Sequence, residues 1–77
     1  MFETITVDST DLEVNCLGPA DRGWFRYEVR DGDVTWRIDI TRCGTVGFTT
    51  AWKDGEMVER SEPPWMDSLA SVLARDL

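Results

Sequence analysis

The chain has 77 residues, with 15 acids against 8 bases, no histidine, two cysteines and a net charge of −7. That length suits one domain, and chains this small bury only roughly 60–65% of the surface exposed on unfolding. The negative balance predicts repulsion from nucleic acid and anionic membranes and permits a basic partner. Two cysteines without histidine fall short of the usual zinc ligand set.

Residues 2–7 alternate, with Ile5 and Val7 on one side. Leu12, Val14 and Cys16 alternate after residues 8–11. A four-residue loop would pair Val7 with Leu12 and Ile5 with Val14, giving a first hairpin over residues 2–17. Residues 18–23 hold two glycines and a proline and read as a loop.

Residues 24–60 read as a β-meander. Phe25, Tyr27 and Val29 alternate with polar residues, as do Val34, Trp36, Ile38 and Ile40. Asp31 and Gly32 between the two runs predict a two-residue turn, since a type I′ turn needs φ > 0 at both central positions. That register pairs Val29 with Val34, Tyr27 with Trp36 and Phe25 with Ile38. It also sets Arg26 directly opposite Arg37, which is mildly unfavourable, with diagonal Glu28 and Asp39 placed to relieve it.

A three-residue loop, Arg42, Cys43 and Gly44, then pairs Ile40 with Val46, Ile38 with Phe48, Trp36 with Thr50 and Val34 with Trp52. Asp54 and Gly55 close another two-residue turn and pair Trp52 with Met57. One apolar face persists across all of these turns, and such agreement between levels is what a foldable sequence shows.

Glu62, Pro63 and Pro64 end the sheet. Proline suits the first helical position. Trp65, Met66, Leu69, Val72, Leu73 and Leu77 then follow helical spacing, so a helix over 64–77 is expected to cover the sheet. The predicted class is α+β: a single domain with an antiparallel β-meander of five to six strands and one C-terminal α-helix on its apolar face. Whether the first hairpin sits beside the meander stays open at this stage.

Charge is uneven. Residues 1–21 carry five acids and no base, and residues 54–67 carry five acids and Arg60. In an up-and-down meander alternate turns share one edge of the sheet. Asp8, Asp11, Asp31, Asp33, Asp54 and Glu56 would therefore gather on one rim as partner-binding residues. The plain alternative is that turns favour Asp and Gly for their own conformational reasons. Trp24, on the outer face beside arginines, is a second candidate contact, because Trp and Arg are typical interface anchors.

No catalytic motif is found: there is no Gly-x-Ser-x-Gly, no phosphate loop and no general base for Cys43. No calcium loop of the Asp-x-Asp-x-Asp-Gly type occurs. Cys16 and Cys43 are read as reduced thiols, with a disulfide as the alternative. No metal and no cofactor are expected, and the protein is read as non-enzymatic.

The expected partner is a basic protein or nucleoprotein complex, with no direct nucleic-acid binding and no membrane contact; oligomeric state is left open. Size, acidity and lack of motifs resemble the broad class of phage- or mobile-element-encoded antagonists of host defence. Those include anti-CRISPR and anti-restriction DNA mimics. An immunity protein or antitoxin against a basic toxin is the alternative, and a small assembly subunit the next. No apolar run is long enough to span a membrane, and no leader pattern opens the chain. A cytoplasmic setting is therefore expected, the host's if a phage encodes the protein.

Overall fold

A computed structural model describes residues Met1–Leu77. Six strands form one antiparallel sheet in sequence order: β1 (Glu3–Val7), β2 (Thr10–Pro19), β3 (Phe25–Asp31), β4 (Val34–Ile40), β5 (Val46–Lys53) and β6 (Glu56–Val58). One helix, α1 (Met66–Ala74), follows. The expected meander and its C-terminal helix are therefore both present. The first hairpin lies beside the meander, because β2 pairs with β3. β2 extends through Pro19, so the expected loop at 18–23 is shortened to a tight turn over Asp21–Gly23 in which Arg22 is left-handed, with φ of 59°.

Three registers depart from the sequence reading, and each has a physical reason. The first hairpin turns on Asp8 and Ser9 alone, with φ of 49° and 63°. Both adopt the left-handed conformation of a type I′ turn, so Val7 faces Thr10 and Ile5 faces Leu12. The β3–β4 turn is centred on Gly32 and Asp33, not on Asp31 and Gly32. Gly32 has φ 61°, as the first central position of a type II′ turn demands.

That second slip is by two residues, which leaves every side chain on its own face. Apolar pairing tolerates it: Val29 now faces Trp36 and Tyr27 faces Ile38. Charge does not. Arg26 moves from opposite Arg37 to opposite Asp39, and Glu28 comes to face Arg37. Two opposite-charge pairs replace one like-charge pair, which decides between registers that the hydrophobic pattern cannot separate.

The third departure changes faces. Ile40 faces Val46 as expected, but Ile38 faces Thr49. Gly47 and Phe48 together oppose Asp39, a β-bulge that offsets the rest of β5 by one residue. Trp36 then faces Ala51, and Val34 faces Lys53. Phe48, Thr50 and Trp52 leave the core face for the outer face. The expected pairs Ile38–Phe48, Trp36–Thr50 and Val34–Trp52 are thus corrected. The β5–β6 turn forms as read, with Trp52 opposite Met57.

The core lies between the inner face and α1. Leu12, Val29, Ile38 and Ile40 are fully buried from the sheet, and Met66, Leu69 and Ala70 from the helix. The small side chain of Ala51 beside Trp36 leaves room for Trp65, which meets Trp36 edge-on with ring centroids 6.3 Å apart. The helix is shorter than the expected 64–77, spanning Met66–Ala74. Its first hydrogen bond runs from the Met66 N–H to the Pro63 carbonyl, so the two prolines lead into it without joining it.

On the outer face the Trp24 indole lies against Gly47. A Cβ placed on Gly47 would collide with the Trp24 Cη2 and Cζ3 atoms. Gly47→Ala is therefore expected to displace Trp24 and to lower stability by about 1–3 kcal/mol. Urea unfolding measures the loss, and near-UV circular dichroism reports the displaced ring.

Candidate interaction surface

The up-and-down topology brings three turns to one rim: those at residues 8–9, 32–33 and 54–55. Neighbouring strands lie about 4.8 Å apart, so neighbouring turns on this rim are separated by roughly 10 Å. The carboxylates predicted to share the rim divide into two groups.

Asp31, Asp33 and Asp11 are engaged within the fold. Asp31 Oδ2 accepts a hydrogen bond from the Trp65 indole Nε1 at 3.1 Å, tying the sheet to the start of the helix. Lys53 Nζ lies 3.3 Å from Asp33 Oδ2. The hydrogen bond and charge of Lys53 hold the Asp33 carboxyl below the usual carboxylate range. Asp11 accepts a hydrogen bond from the Thr6 hydroxyl across the first hairpin. Asp8, Asp54 and Glu56 are exposed and make no side-chain hydrogen bond or ion pair.

The outer face is built by the bulge. Phe48 is 68% exposed there, and Met57, opposite Trp52, is 62% exposed. Trp24 packs edge-on against Phe48 with centroids 5.9 Å apart. Trp24 is thus half-buried against its neighbours, not a free-standing indole. Trp52 donates its Nε1 to Thr50 Oγ1 at 3.3 Å, which fixes that ring along its own strand.

Between these rings lie two arginines in different states. Arg26 clamps Asp39 through two bonds, Nε to Oδ1 at 2.8 Å and Nη2 to Oδ2 at 3.1 Å. Asp39 is only 6% exposed. The hydrogen bond and charge of Asp39 raise the Arg26 pKa further. Arg37 faces Glu28 but makes no ion pair.

Three shallow concavities join across this face. One of about 370 Å³ contains Glu28, Asp33, Arg37, Trp52 and Asp54 and opens at the rim. The next, about 270 Å³, shares Arg37 and Trp52 and adds Phe48. The third, about 480 Å³, shares Arg26, Asp39 and Phe48 and ends at Trp24 and Arg22. The three concavities share lining residues in a row from the acidic rim to the opposite end of the sheet.

Sequence reasoning placed Trp24 on this face but missed Phe48, Trp52 and Met57. The available signal was Gly47, because an isolated glycine inside a strand pattern marks a bulge. A separate crevice of about 460 Å³ sits on the inner side near the end of α1, lined by Ile5, Val14, Cys16, Tyr27 and Leu73. Burial there, with Cys16 and Asp76 nearby, pushes the Tyr27 phenol above its usual range. Cys16 and Cys43 are both free and exposed. No helix is long and apolar enough to cross a membrane.

Compared with protein-family models, curated proteins and solved structures, the chain matches none.

Two measurements test the division of roles. Asp31→Ala leaves the Trp65 N–H without its acceptor and is expected to cost about 1–3 kcal/mol. Asp54→Asn, which keeps a side chain tolerant of the left-handed φ of 54°, is expected to stay within about 0.5 kcal/mol of the parent protein. The chain has one tyrosine, so a phenolate absorbance titration reads Tyr27 alone. Its midpoint is expected above about 10. A raised folded pKa stabilises below the unfolded value and loses that contribution as pH climbs through the folded one. Stability should accordingly fall less steeply at high pH in Tyr27→Phe.

Proposed function

We propose that this is a non-catalytic protein that acts by stoichiometric binding, its acidic rim occupying a basic, nucleic-acid-binding groove of a partner. This is the mode of DNA-mimic inhibitors that mobile elements direct at host defence complexes. One observation carries the reading. Asp8 is far in the chain from Asp54 and Glu56, yet topology sets all three on a single edge with no partner inside the fold. Asp33 adds charge at the same rim, reduced by Lys53.

The net charge of −7 supports long-range attraction to a positive groove. The resemblance to a phosphate row is sparse. DNA carries a charge about every 3.4 Å on each strand, whereas the turns here are roughly 10 Å apart. A groove that binds through a few well-separated cations is the better fit.

Affinity capture at low and moderate salt tests the reading. The triple variant Asp8→Asn, Asp54→Asn, Glu56→Gln is expected to lose its partner with no change in melting temperature. Excess duplex DNA is expected to release the partner from the parent protein. A partner that stays bound to the triple variant, or through a large excess of DNA, would falsify this function.

A further inference from the structure

We propose that the outer face of the sheet from β3 to β6 is a docking surface for a protein segment that presents an apolar side chain flanked by arginine or lysine. The inference rests on the reading above and deepens it, because it describes the part of the same partner that lies beyond the rim.

The apolar half of the surface is specific in composition and position. Phe48 and Met57 are exposed large hydrophobic residues on the same face, Phe48 packed edge-on with Trp24 and Met57 opposite Trp52. Aromatic residues, Met and Arg are the types enriched at protein interfaces. The alternation of β5 would have turned Phe48 and Trp52 inward; the bulge turns them out. The Trp52 backbone is paired with Thr35 of β4 on one side and Met57 of β6 on the other, and its ring is further fixed by Thr50, while Phe48 lies in the bulge and packs edge-on against Trp24. A partner docking here therefore loses little side-chain freedom on the protein's side.

Charge decides the kind of occupant. Arg26 is already neutralised by Asp39. The concavity nearest the rim sets Trp52 beside Glu28, Asp54 and Asp33, the last already paired with Lys53, with Arg37 as the one base in its lining. An aromatic face beside carboxylates favours a cationic side chain, which gains from the ring quadrupole and from ion pairing together. A nucleic-acid strand stacking on Trp52 would bring its phosphates against those same acids. The fitting ligand is thus a basic and apolar stretch of protein, its cation over Trp52 and its apolar side chain against Phe48.

Synthetic peptides supply the probe. One alternates Arg and Leu, a second alternates Arg and Ser, and oligothymidine is the nucleic-acid arm. Binding is followed by titration calorimetry at two salt concentrations and by amide NMR. The Arg/Leu peptide is expected to bind about tenfold or more tighter than the Arg/Ser peptide. That advantage should persist at higher salt and shift the amides of Phe48, Thr50 and Trp52. The double variant Phe48→Ser, Met57→Ser should abolish the advantage yet keep Arg/Ser binding, and its melting temperature should fall only by the loss of the Trp24–Phe48 edge contact because both side chains are mostly exposed.

Equal binding of the two peptides, with shifts confined to the turns at 8–9 and 54–55, overturns the docking face and leaves the rim reading standing. Binding of Arg/Leu at Phe48 and Trp52 without any Arg/Ser binding supports the docking face and counts against the rim. Failure of both peptides to bind, or preference for oligothymidine, overturns the proposal.

Discussion

One extra residue in β5 governs the layout of both faces. A strand has only two sides, so an offset of one exchanges every side chain between core and solvent. The bulge opposite Asp39 makes that exchange near the start of β5. On the core side it sets Ala51 beside Trp36, where Trp65 of the helix approach needs space. On the outer side it delivers Phe48 and Trp52 and seats Trp24 on Gly47. Core packing and the candidate contact surface are two consequences of one backbone irregularity.

The same region holds the one buried charge of the molecule, Asp39. A carboxylate taken out of water is costly unless it is fully paired. Arg26 supplies a bidentate pair from directly across the sheet, while its own side chain stays 46% exposed. The register of β3 against β4 and the bulge in β5 therefore meet at this pair. A second polar tie, Asp31 with Trp65, fastens the start of the helix to the rim of the sheet. In so small a chain the hydrophobic core is limited, and such oriented links fix which way the helix lies.

These internal ties also determine what remains for binding. Acidic residues occur in turns for local reasons, since Asp and Gly tolerate the backbone angles that turns require. Topology then aligns those turns along one edge. Asp31, Asp33 and Asp11 are drawn into the fold, which leaves Asp8, Asp54 and Glu56 as the charge offered outward. Trp52 adjoins Asp33 and Asp54 in one concavity. The charged edge and the aromatic face are thus continuous, and a single partner can engage both.

The hairpin, the meander and the C-terminal helix were legible in the sequence because they rest on local signals, whereas the place of the first hairpin beside β3 was decided only by tertiary structure. Alternation with a period of two marks strands, turn residues separate them, and apolar spacing of three and four marks the helix. Register was not legible where a slip of two residues keeps apolar facing apolar; the Arg26–Asp39 and Glu28–Arg37 pairings settle it, and they exist only once two strands lie side by side. The reversal of β5 was signalled faintly by Gly47, but its extent depends on how Trp24 and the helix pack. The common edge of the acidic turns followed from connectivity and could be read in advance. Which carboxylates are free to bind could not, since Trp65 and Lys53 reach Asp31 and Asp33 only in the folded chain.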